Sequence, residues 1–440
     1  MTTAMTHAMP MEQPPKIVDR AATVPLTVIV GITLSAYLSW RPSVDIMFTI
    51  SDGCLLLGAM LLLLRRRVPL EPFGVVSPAW FGGFILMMGG LLASSLFSGD
   101  PTRWPTVALQ YSMAWVVLPF LIMGHDRRDT ERLVRFFVAG VVAMELIGII
   151  VYFTFNGTFV QARALLGFDF ISGSGRLGAF ATDANWNGAT IAMALPFTFY
   201  LRGRRMISMW QAAVAITILV FALTLTASVT AFGSACTATL LFVVAGGVRL
   251  RPGPLAAMLL FLAVGSTIAL SAYGLPPVFE KRVATVFETG DLATAGTFKG
   301  RMGLIEDAWQ RVGDSMLVGV GVDQDRVVSP LRAPVHNMYL LVWVEGGFIA
   351  LFGWVAMMTA GLAIAFAALW RDRLAGVLAF TVLTTFLLFS AASPHMYARL
   401  WAVPVLLAIA VALHSGGPHL RDMVGRRHAA RWKHASEPQS

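Results

Sequence analysis

The chain has 440 residues, of which 57% are hydrophobic and only 13% are charged, and its formal net charge is +9. With a mean hydropathy of +0.71, this composition excludes an ordinary soluble enzyme. The positive charge does not require a nucleic-acid partner, because most of the Lys and Arg residues stand beside apolar segments, where they set membrane topology and can contact anionic lipid.

Bilayer-length apolar segments make up most of the chain. A helix needs about 17–25 apolar residues to cross the hydrocarbon, and continuous rather than alternating apolar runs favour helices over strands. The sequence therefore predicts an all-α fold, a polytopic membrane bundle of about twelve transmembrane helices in a single domain over residues 21–413. The predicted spans are 21–40, 46–64, 78–97, 104–123, 133–155, 186–201, 207–226, 229–248, 254–273, 338–369, 374–392 and 396–413. The tenth is too long for one perpendicular span, and we expect it to begin as a partial or tilted helix outside the membrane core.

The ends of the chain and its Arg clusters predict an orientation. Residues 1–20 lack the apolar core of a signal peptide and are predicted to be a disordered cytoplasmic N-terminus, and 414–440 a basic cytoplasmic tail. Arg clusters such as Arg65–Arg67 fall in alternate short loops, so the positive-inside rule places these loops and both termini in the cytoplasm. Two long polar loops, about 156–186 and 274–336, then face outward, which in a bacterial inner membrane is the periplasm.

The first long loop carries a Gly- and Ser-rich string from Ser172 to Phe180, within which Arg176 is the one charged residue. A guanidinium is a planar, permanently charged fork that suits phosphate oxygens. Asp183, Asn185 and Asn187 stand where the sixth span begins, and the two Asn side chains could cap that helix or bond to sugar hydroxyls. The alternative interpretation is an ordinary Gly-rich loop with capping Asn residues and a solvated Arg.

The second long loop contains a predicted amphipathic helix over 300–312, which opens with Arg301 and lies on or near the membrane surface. The side chains predicted to share one side of this helix are Met302, Ile305, Ala308, Trp309 and Val312. The loop ends at His336, directly before a membrane helix. A neutral imidazole beside Asn337 can accept a proton from a sugar hydroxyl near neutral pH. The alternatives are a solvated surface helix and a capping or structural His.

Few residues elsewhere could carry chemistry. Asp52 and Glu145 lie within spans, where carboxylates are costly; they would either couple protons in a transporter or pair within the bundle. Cys54 and Cys236 both lie in apolar spans, so no disulfide framework is predicted. Neither a second His nor a Cys stands at metal-ligand spacing from His336, so no metal site is predicted.

Several short motifs follow one another between Arg176 and Gly347. They are Arg176-x-Gly-x-Phe180, Asn185-x-x-Gly188, Arg301 at a helix start, Gly319-Val-Gly321, His336-Asn337, and Glu345-Gly-Gly347 with nine residues between Asn337 and Gly347. In this order and in these loops they resemble the O-antigen ligase and Wzy-type O-antigen and exopolysaccharide polymerase superfamily, from about residue 170 to 370. The chain departs from the family pattern at Ala184, Leu317-Val318, Val229 and Ala350. At Val229 the family often has Arg, so one expected phosphate-facing Arg is absent.

The resemblance implies a GT-C-like glycosyltransferase of the bacterial inner membrane that needs no metal or other cofactor. It would take a glycan from undecaprenyl diphosphate and pass it to an acceptor hydroxyl on the periplasmic side. His336 would be catalytic, and Arg176 and Arg301 would bind the donor diphosphate. Residues that would bind the glycan or acceptor, or support the site, are Asp183, Asn185, Asn337 and Glu345. The partners would be the lipid-linked donor, an acceptor glycan or lipid-linked glycan, the bilayer and, as a further candidate, a chain-length regulator.

Three functions fit these features. The favoured one is polymerisation of lipid-linked repeat units into exopolysaccharide or O-antigen, and its alternative within the family is ligation of O-antigen onto lipid A-core. The alternative from another class is a lipid-linked-glycan flippase or secondary transporter. A transporter should place polar, broken helices at the membrane midplane, whereas this chain concentrates its polar residues in the outer loops.

Overall fold

The computed structural model describes residues 24–39, 48–65, 68–98, 100–167, 169–246, 279–280, 285–290, 298–394 and 396–415. These residues are mostly helical and contain no β-strand beyond one isolated bridge between Ile171 and Leu177, which confirms the predicted all-α class. The predicted disordered N-terminus, nearly all of the basic tail and the ninth predicted span lie outside the described residues.

We number the helices in chain order. They are α1 (Leu26–Thr33), α2 (Ile50–Leu64), α3 (Ser77–Phe97), α4 (Trp104–Ser112), α5 (Leu118–Ile122), α6 (Arg127–Thr154), α7 (Phe159–Leu166), α8 (Ala184–Gly203), α9 (Met209–Thr226), α10 (Val229–Gly246), α11 (Thr285–Thr289), α12 (Phe298–Asp314), α13 (Asp325–Val328), α14 (Met338–Leu369), α15 (Arg373–Ser390) and α16 (Arg399–Leu413). One π-helical turn, Met113–Val117, joins α4 to α5.

Within the described part of the chain, seven helical segments are long and apolar enough to cross a membrane, so this is a multi-pass membrane protein. These segments are Gly74–Phe97, Trp104–Ile122, Arg127–Thr154, Met209–Thr226, Val229–Gly246, Met338–Leu369 and Arg373–Ser390. Helices α2 and α16 are apolar but shorter. Within residues 24–39, the described part of the first predicted span, eight residues are helical, in α1. The total of about twelve spans stays a prediction.

Helices α3 and α14 pack closely because small residues face each other along both. A Cβ atom added at Gly83 would lie 2.7 Å from the carbonyl oxygen of Gly353, and one added at Gly90 would lie 2.7 Å from the backbone nitrogen of Ala350. Small residues let two backbones approach in this way, and close packing is a main source of helix association in lipid. The pair α3–α14 therefore forms a tight scaffold, and the loop that carries His336 leads directly into α14.

Gly83 and its neighbour Gly82 provide a matched test of this packing. A Cβ added at Gly82 meets nothing within 4 Å, whereas one added at Gly83 meets the backbone of α14. We expect Gly83→Ala to lower the free energy of unfolding by about 1–3 kcal/mol, the usual cost of overpacking, and Gly82→Ala to leave it unchanged or slightly raised. Melting temperatures of the two purified variants in detergent measure the difference. Equal melting temperatures would contradict the close α3–α14 packing.

Helix α14 is broken at Gly347, whose φ of 71° lies in the left-handed region that favours glycine. An added Cβ there would lie 2.1 Å from the carbonyl oxygen of Leu317. The amide of Phe348, which follows the break, donates to the carbonyl of Met316 (3.1 Å) instead of continuing the helical pattern. The tenth predicted span thus begins with a short helical segment set off from the rest, and its depth in the membrane stays a prediction.

The segment Gly319–Gly321 supplies the hydrogen bonds that the break in α14 leaves open. The amide of Val320 donates to the carbonyl of Val344 (2.8 Å), and the amide of Gly321 donates to the carbonyl of Glu345 (3.0 Å). Gly319 has φ 78°, and an added Cβ would lie 2.7 Å from the backbone of Glu345. The motifs Gly319-Val-Gly321 and Glu345-Gly-Gly347 therefore meet where two backbone segments cross. Glycine is required at Gly319 and Gly347 because a side chain would not fit between the two backbones.

The predicted amphipathic helix is α12, but its buried face differs in part from the predicted one. Leu304, Ala308 and Val312 are buried against the start of α14. By contrast, the side chains of Met302 and Trp309 are 38% and 61% exposed. The reason is that the contact with α14 follows the i, i+4, i+8 row of the helix, and Leu304 rather than Met302 or Trp309 lies on that row.

The two carboxylates within the predicted spans both have partners. Asp52 accepts a hydrogen bond from the amide of Thr49 (2.8 Å) and forms an ion pair with Arg399 at the start of α16. Glu145 is fully buried in α6 and accepts a hydrogen bond from the side-chain amide of Asn187 (3.2 Å). Both therefore pair within the bundle, which is the second of the two roles that the sequence left open.

Candidate active site

Asp183 forms the N-terminal cap of α8. Its Oδ1 accepts hydrogen bonds from the amides of Asn185 (2.7 Å) and Trp186 (3.0 Å). Short acidic side chains are favoured at this position because they satisfy amides that have no partner inside the helix. Since Asp183 performs the capping, the side chain of Asn185 is available for other contacts.

Arg176 lies behind the first turn of α8. Its side chain is buried, Nε donates to the carbonyl of Thr226 (2.7 Å), and Nη2 donates to Oδ1 of Asn185 (2.8 Å). The hydroxyl of Ser228 donates to the same oxygen (3.0 Å). Thr226 and Ser228 belong to the segment in which the sequence departs from the family at Val229. This segment therefore helps to orient Asn185 through Arg176 and Ser228.

His336 is a half-buried residue in the loop between α13 and α14. Its Nδ1 lies 3.1 Å from the carbonyl oxygen of Pro334. A carbonyl can only accept, so Nδ1 carries the proton and Nε2 is the basic nitrogen of the neutral ring. Burial, and next the positive charge of Arg301, lower the pKa of His336, while the carboxylate of Asp183 opposes them. The imidazole is therefore neutral at neutral pH.

A cavity of about 280 Å³ brings several of the predicted residues together. It is lined by Asp169, Thr182, Asp183, Asn185, Trp186, Thr230, Arg301, His336, Phe389, Ala392, Ser393 and Pro394. Most of these residues come from the two long loops and from the end of α15 and the turn after it. It places a guanidinium and a neutral imidazole in one space with carboxyl, amide and hydroxyl groups, a combination that can bind an anionic group and hydrogen-bond to sugar hydroxyls.

Three of the predicted site residues do not line this cavity. Arg176 stands behind Asn185. The side chain of Asn337 caps α14 by accepting from the amide of Leu340 (3.1 Å), and Glu345 is buried at the backbone crossing described above. These residues hold the elements that bear the lining residues rather than facing the cavity.

Sequence reasoning missed part of the cavity wall. Trp186 stands inside the string that drew attention to Asn185, so it could have been included as an aromatic surface for a sugar ring. Asp169 precedes the Gly-rich string and adopts a left-handed φ of 46°. Phe389 lies in the last turn of α15 and Ser393 in the turn that follows it. Both are more than 200 residues from Asp183 in the chain, and no local pattern connects the two regions.

Two further sequence expectations concern Cys and metal ligands. Cys54 and Cys236 are both free thiols. In the part of the chain that the structure describes, no group of three or more His, Cys, Asp or Glu residues could hold a metal ion.

Part of this site lies in a region that is similar to a known protein family. A family model described as O-antigen ligase matches residues 212–355, about a third of the chain. Residues 212–355 are thus similar to the O-antigen ligase family. The matched region includes Arg301, His336 and Gly347, so the resemblance to the O-antigen ligase and Wzy-type polymerase superfamily is confirmed. No curated protein matches the chain.

The match to the O-antigen ligase family and the membrane helices together support a membrane enzyme of the ligase or polymerase type. The domain match starts within α9 and ends within α14. It therefore contains Thr230, Arg301 and His336 of the cavity lining. Asp183 and Asn185, which also line the cavity, lie before the matched region.

Proposed function

We propose that this protein is a metal-independent glycosyltransferase that moves a glycan from undecaprenyl diphosphate to an acceptor hydroxyl. The observation that carries this proposal is the shared cavity of His336 and Arg301. The imidazole in it is neutral at neutral pH because burial and Arg301 lower its pKa. The guanidinium beside it is a permanent cation suited to phosphate. Base and anion-binding group thus stand where an acceptor and a leaving diphosphate could meet.

The proposed transfer balances without a cofactor. The acceptor hydroxyl oxygen attacks the anomeric carbon of the donor glycan, and the bond between that carbon and the diphosphate oxygen breaks. The electron pair of this bond leaves with the diphosphate, and the hydroxyl proton passes to Nε2 of His336. Arg301 binds the leaving diphosphate more strongly as its charge grows, which lowers the barrier. The carboxylate of Asp183, which raises the pKa of His336 and lines the same cavity, stabilises the imidazolium that forms.

Of the possible acceptors, we propose a second lipid-linked repeat unit, so that the enzyme polymerises exopolysaccharide or O-antigen. The second candidate is ligation onto lipid A-core, which the description of the matched family favours. The two reactions share the donor and the chemistry and differ in the acceptor. Lipid-linked glycan extracted from cells that lack the protein separates them: single repeat units should accumulate if it is a polymerase, and long lipid-linked chains if it is a ligase. A chain-length regulator is a candidate partner of the polymerase.

The partners of Asp52 and Glu145 argue against the transporter alternative. A proton-coupled carrier needs carboxylates that can exchange protons along a path through the bundle. Asp52 is held by Arg399 and Thr49, and Glu145 by Asn187. Lipid-linked glycan that stays on the cytoplasmic leaflet in cells without the protein would favour the flippase over the transferase.

We further propose that the site faces the periplasm and that both termini are cytoplasmic, on the strength of the Arg distribution. After Cys54 and Cys236 are replaced by Ser, single cysteines at Gly173 and Thr289 should react with a membrane-impermeant maleimide in spheroplasts. A cysteine at Arg204 should react only after the membrane is permeabilised. Labelling at Arg204 in intact spheroplasts would reverse the proposed orientation.

Arg176 is proposed to act on the donor from behind the cavity wall, through the orientation of Asn185. Arg176→Lys is expected to lower the rate about as much as Arg176→Ala, by about 10²-fold, because Lys cannot supply the planar fork that joins Thr226 to Asn185. Transfer rates of the purified variants measure this, with Arg163→Lys, an exposed position in the same loop, as the control. A fully active Arg176→Lys variant would show that only the positive charge matters.

A further inference from the structure

Arg301 and His336 come from two segments that must be held together. Arg301 lies in the first turn of α12, and His336 lies in the loop that precedes α14. The two side chains line one cavity. Because a displacement of about 1 Å in a reacting group can cost about 10²-fold in rate, the contact between α12 and this loop bears directly on the proposed transfer.

Asp325 connects the two segments with a single carboxylate. It is fully buried at the start of α13. Its Oδ1 accepts a hydrogen bond from Nη2 of Arg311 in α12 (2.5 Å), and its Oδ2 accepts one from the amide of Val335 (2.8 Å). Val335 is bonded directly to His336. The carboxylate therefore fixes the backbone next to the imidazole to the helix that carries Arg301.

Arg311 also connects α12 to Ser329, at the end of α13, through Asp307. Its Nη1 donates to Asp307 (2.5 Å), and Asp307 also accepts from the hydroxyl of Ser329 (2.7 Å). Burial alone would raise the pKa of Asp307, but the hydrogen bonds from Arg311 and Ser329 outweigh it and lower the pKa. Asp307 is therefore charged at neutral pH, and the guanidinium lies between two carboxylates in one fixed arrangement.

We propose that Asp325 and Arg311 are positioning residues for glycan transfer, which fix the His336 loop against the Arg301 helix. This role rests on the proposed function of His336 and Arg301. The apolar contacts of α12 with the start of α14 already supply packing at this interface. A buried ion pair adds little net stability in general, because desolvation offsets the attraction between the charges. Its contribution here is the fixed geometry of the loop.

The test compares Asp325→Asn, Asp325→Ala and Arg311→Lys in the purified full chain in nanodiscs. The donor is the lipid-linked glycan extracted from cells that lack the protein. Asp325→Asn keeps an oxygen for the amide of Val335 but loses the charge that holds Arg311, and Arg311→Lys keeps the charge but loses the fork. The control is Arg326→Gln, which breaks a neighbouring, half-exposed ion pair with Asp323 (2.6 Å), a residue that also pairs with Arg103 before α4.

We expect kcat to fall about 10–100-fold in the Asp325 and Arg311 variants, and to stay at the wild-type value in Arg326→Gln. The acid limb of the pH profile should also move to higher pH. The reason is that a released loop frees His336 from burial and from the charge of Arg301, which lower its pKa, while the charge of Asp183 would still raise it. A role confined to folding would lower yield or melting temperature and leave both kcat per folded molecule and the acid limb unchanged.

Each outcome decides the proposal. If Asp325→Ala fails to fold, the proposal is tested with Asp325→Asn and Arg311→Lys, by the same measurements of kcat and of the acid limb of the pH profile. Wild-type kcat and an unmoved acid limb in both overturn the positioning role. His336→Ala in the same assay separates the two possible failures. An active His336→Ala protein overturns the proposed function and the positioning role with it, whereas an inactive one beside wild-type Asp325→Asn and Arg311→Lys overturns the positioning role alone.

Discussion

Replacement of His336 by Ala is expected to lower the rate of glycan transfer by about 10²–10⁴-fold, the usual loss when a general base is removed. The protein should still fold and insert, because the side chain is only half-buried and its hydrogen bond within the described part of the chain is a local one, to Pro334. Binding of the donor should change little, since Arg301 remains in place to meet the diphosphate. His336→Gln should be equally slow, because an amide can hydrogen-bond to the acceptor but cannot take its proton.

Rates and donor affinities of the purified variants measure this expectation, with polysaccharide chain length in cells as a second readout. The matched control is Arg332→Lys, a conservative change at an exposed position four residues earlier in the same loop, which should leave the rate unchanged. A His336→Ala protein of normal abundance that makes polysaccharide of normal length would end the assignment and leave this residue with a structural role.

The pH profile of the wild type gives an independent check on the same residue. The base form of His336 is the neutral one, so activity is present above its pKa and is lost as the pH falls through it. Burial and the charge of Arg301 hold this pKa below the usual 6.5. Activity should therefore persist to a lower pH than an ordinary His would allow. An acid limb above pH 6.5 would show that His336 is not the titrating base.

The sequence predicted the helices best where the signal is local. Apolar length alone located α3, α6, α9, α10, α14 and α15, because the bilayer imposes the same requirement on every span. It could not predict which face of α12 is buried, since Met302 and Trp309 are as apolar as Leu304. That choice depends on how α12 crosses α14, which is a tertiary contact.

The candidate site divides in the same way. The types and order of Arg301, His336 and Asn185 indicated anionic and hydroxyl chemistry, and the structure brings these three to one cavity. The sequence could not show that Glu345 plays a different part from these three. Glu345 belongs to the backbone crossing at Gly347 and does not line the cavity, but it occurs in the same run of motifs as the lining residues. Whether a side chain lines the cavity or supports the elements around it depends on the direction in which it points. That direction is set by tertiary packing and cannot be read from the spacing of residues.

Arg301 is expected to be as important for the rate of transfer as His336. Its variants separate two effects of this residue, the contact with phosphate and the lowering of the pKa of His336. Arg301→Ala should lower the rate by about 10²–10³-fold, the loss seen when a group that stabilises developing negative charge is removed. Arg301→Lys should cost nearly as much, because an ammonium cannot make the planar two-pronged contact with phosphate oxygens. Arg332→Lys again provides the matched control.

The two variants should differ in pH dependence. The charge of Arg301 is one of the two causes that lower the pKa of His336, after burial. Arg301→Ala removes this charge, so the pKa of His336 should rise and activity should be lost at a higher pH than in the wild type. Arg301→Lys keeps the charge, so its slow reaction should retain an acid limb close to that of the wild type. A fully active Arg301→Lys protein would exclude a two-pronged phosphate contact. An acid limb in Arg301→Ala that coincides with the wild type would show that Arg301 and His336 do not act in one site.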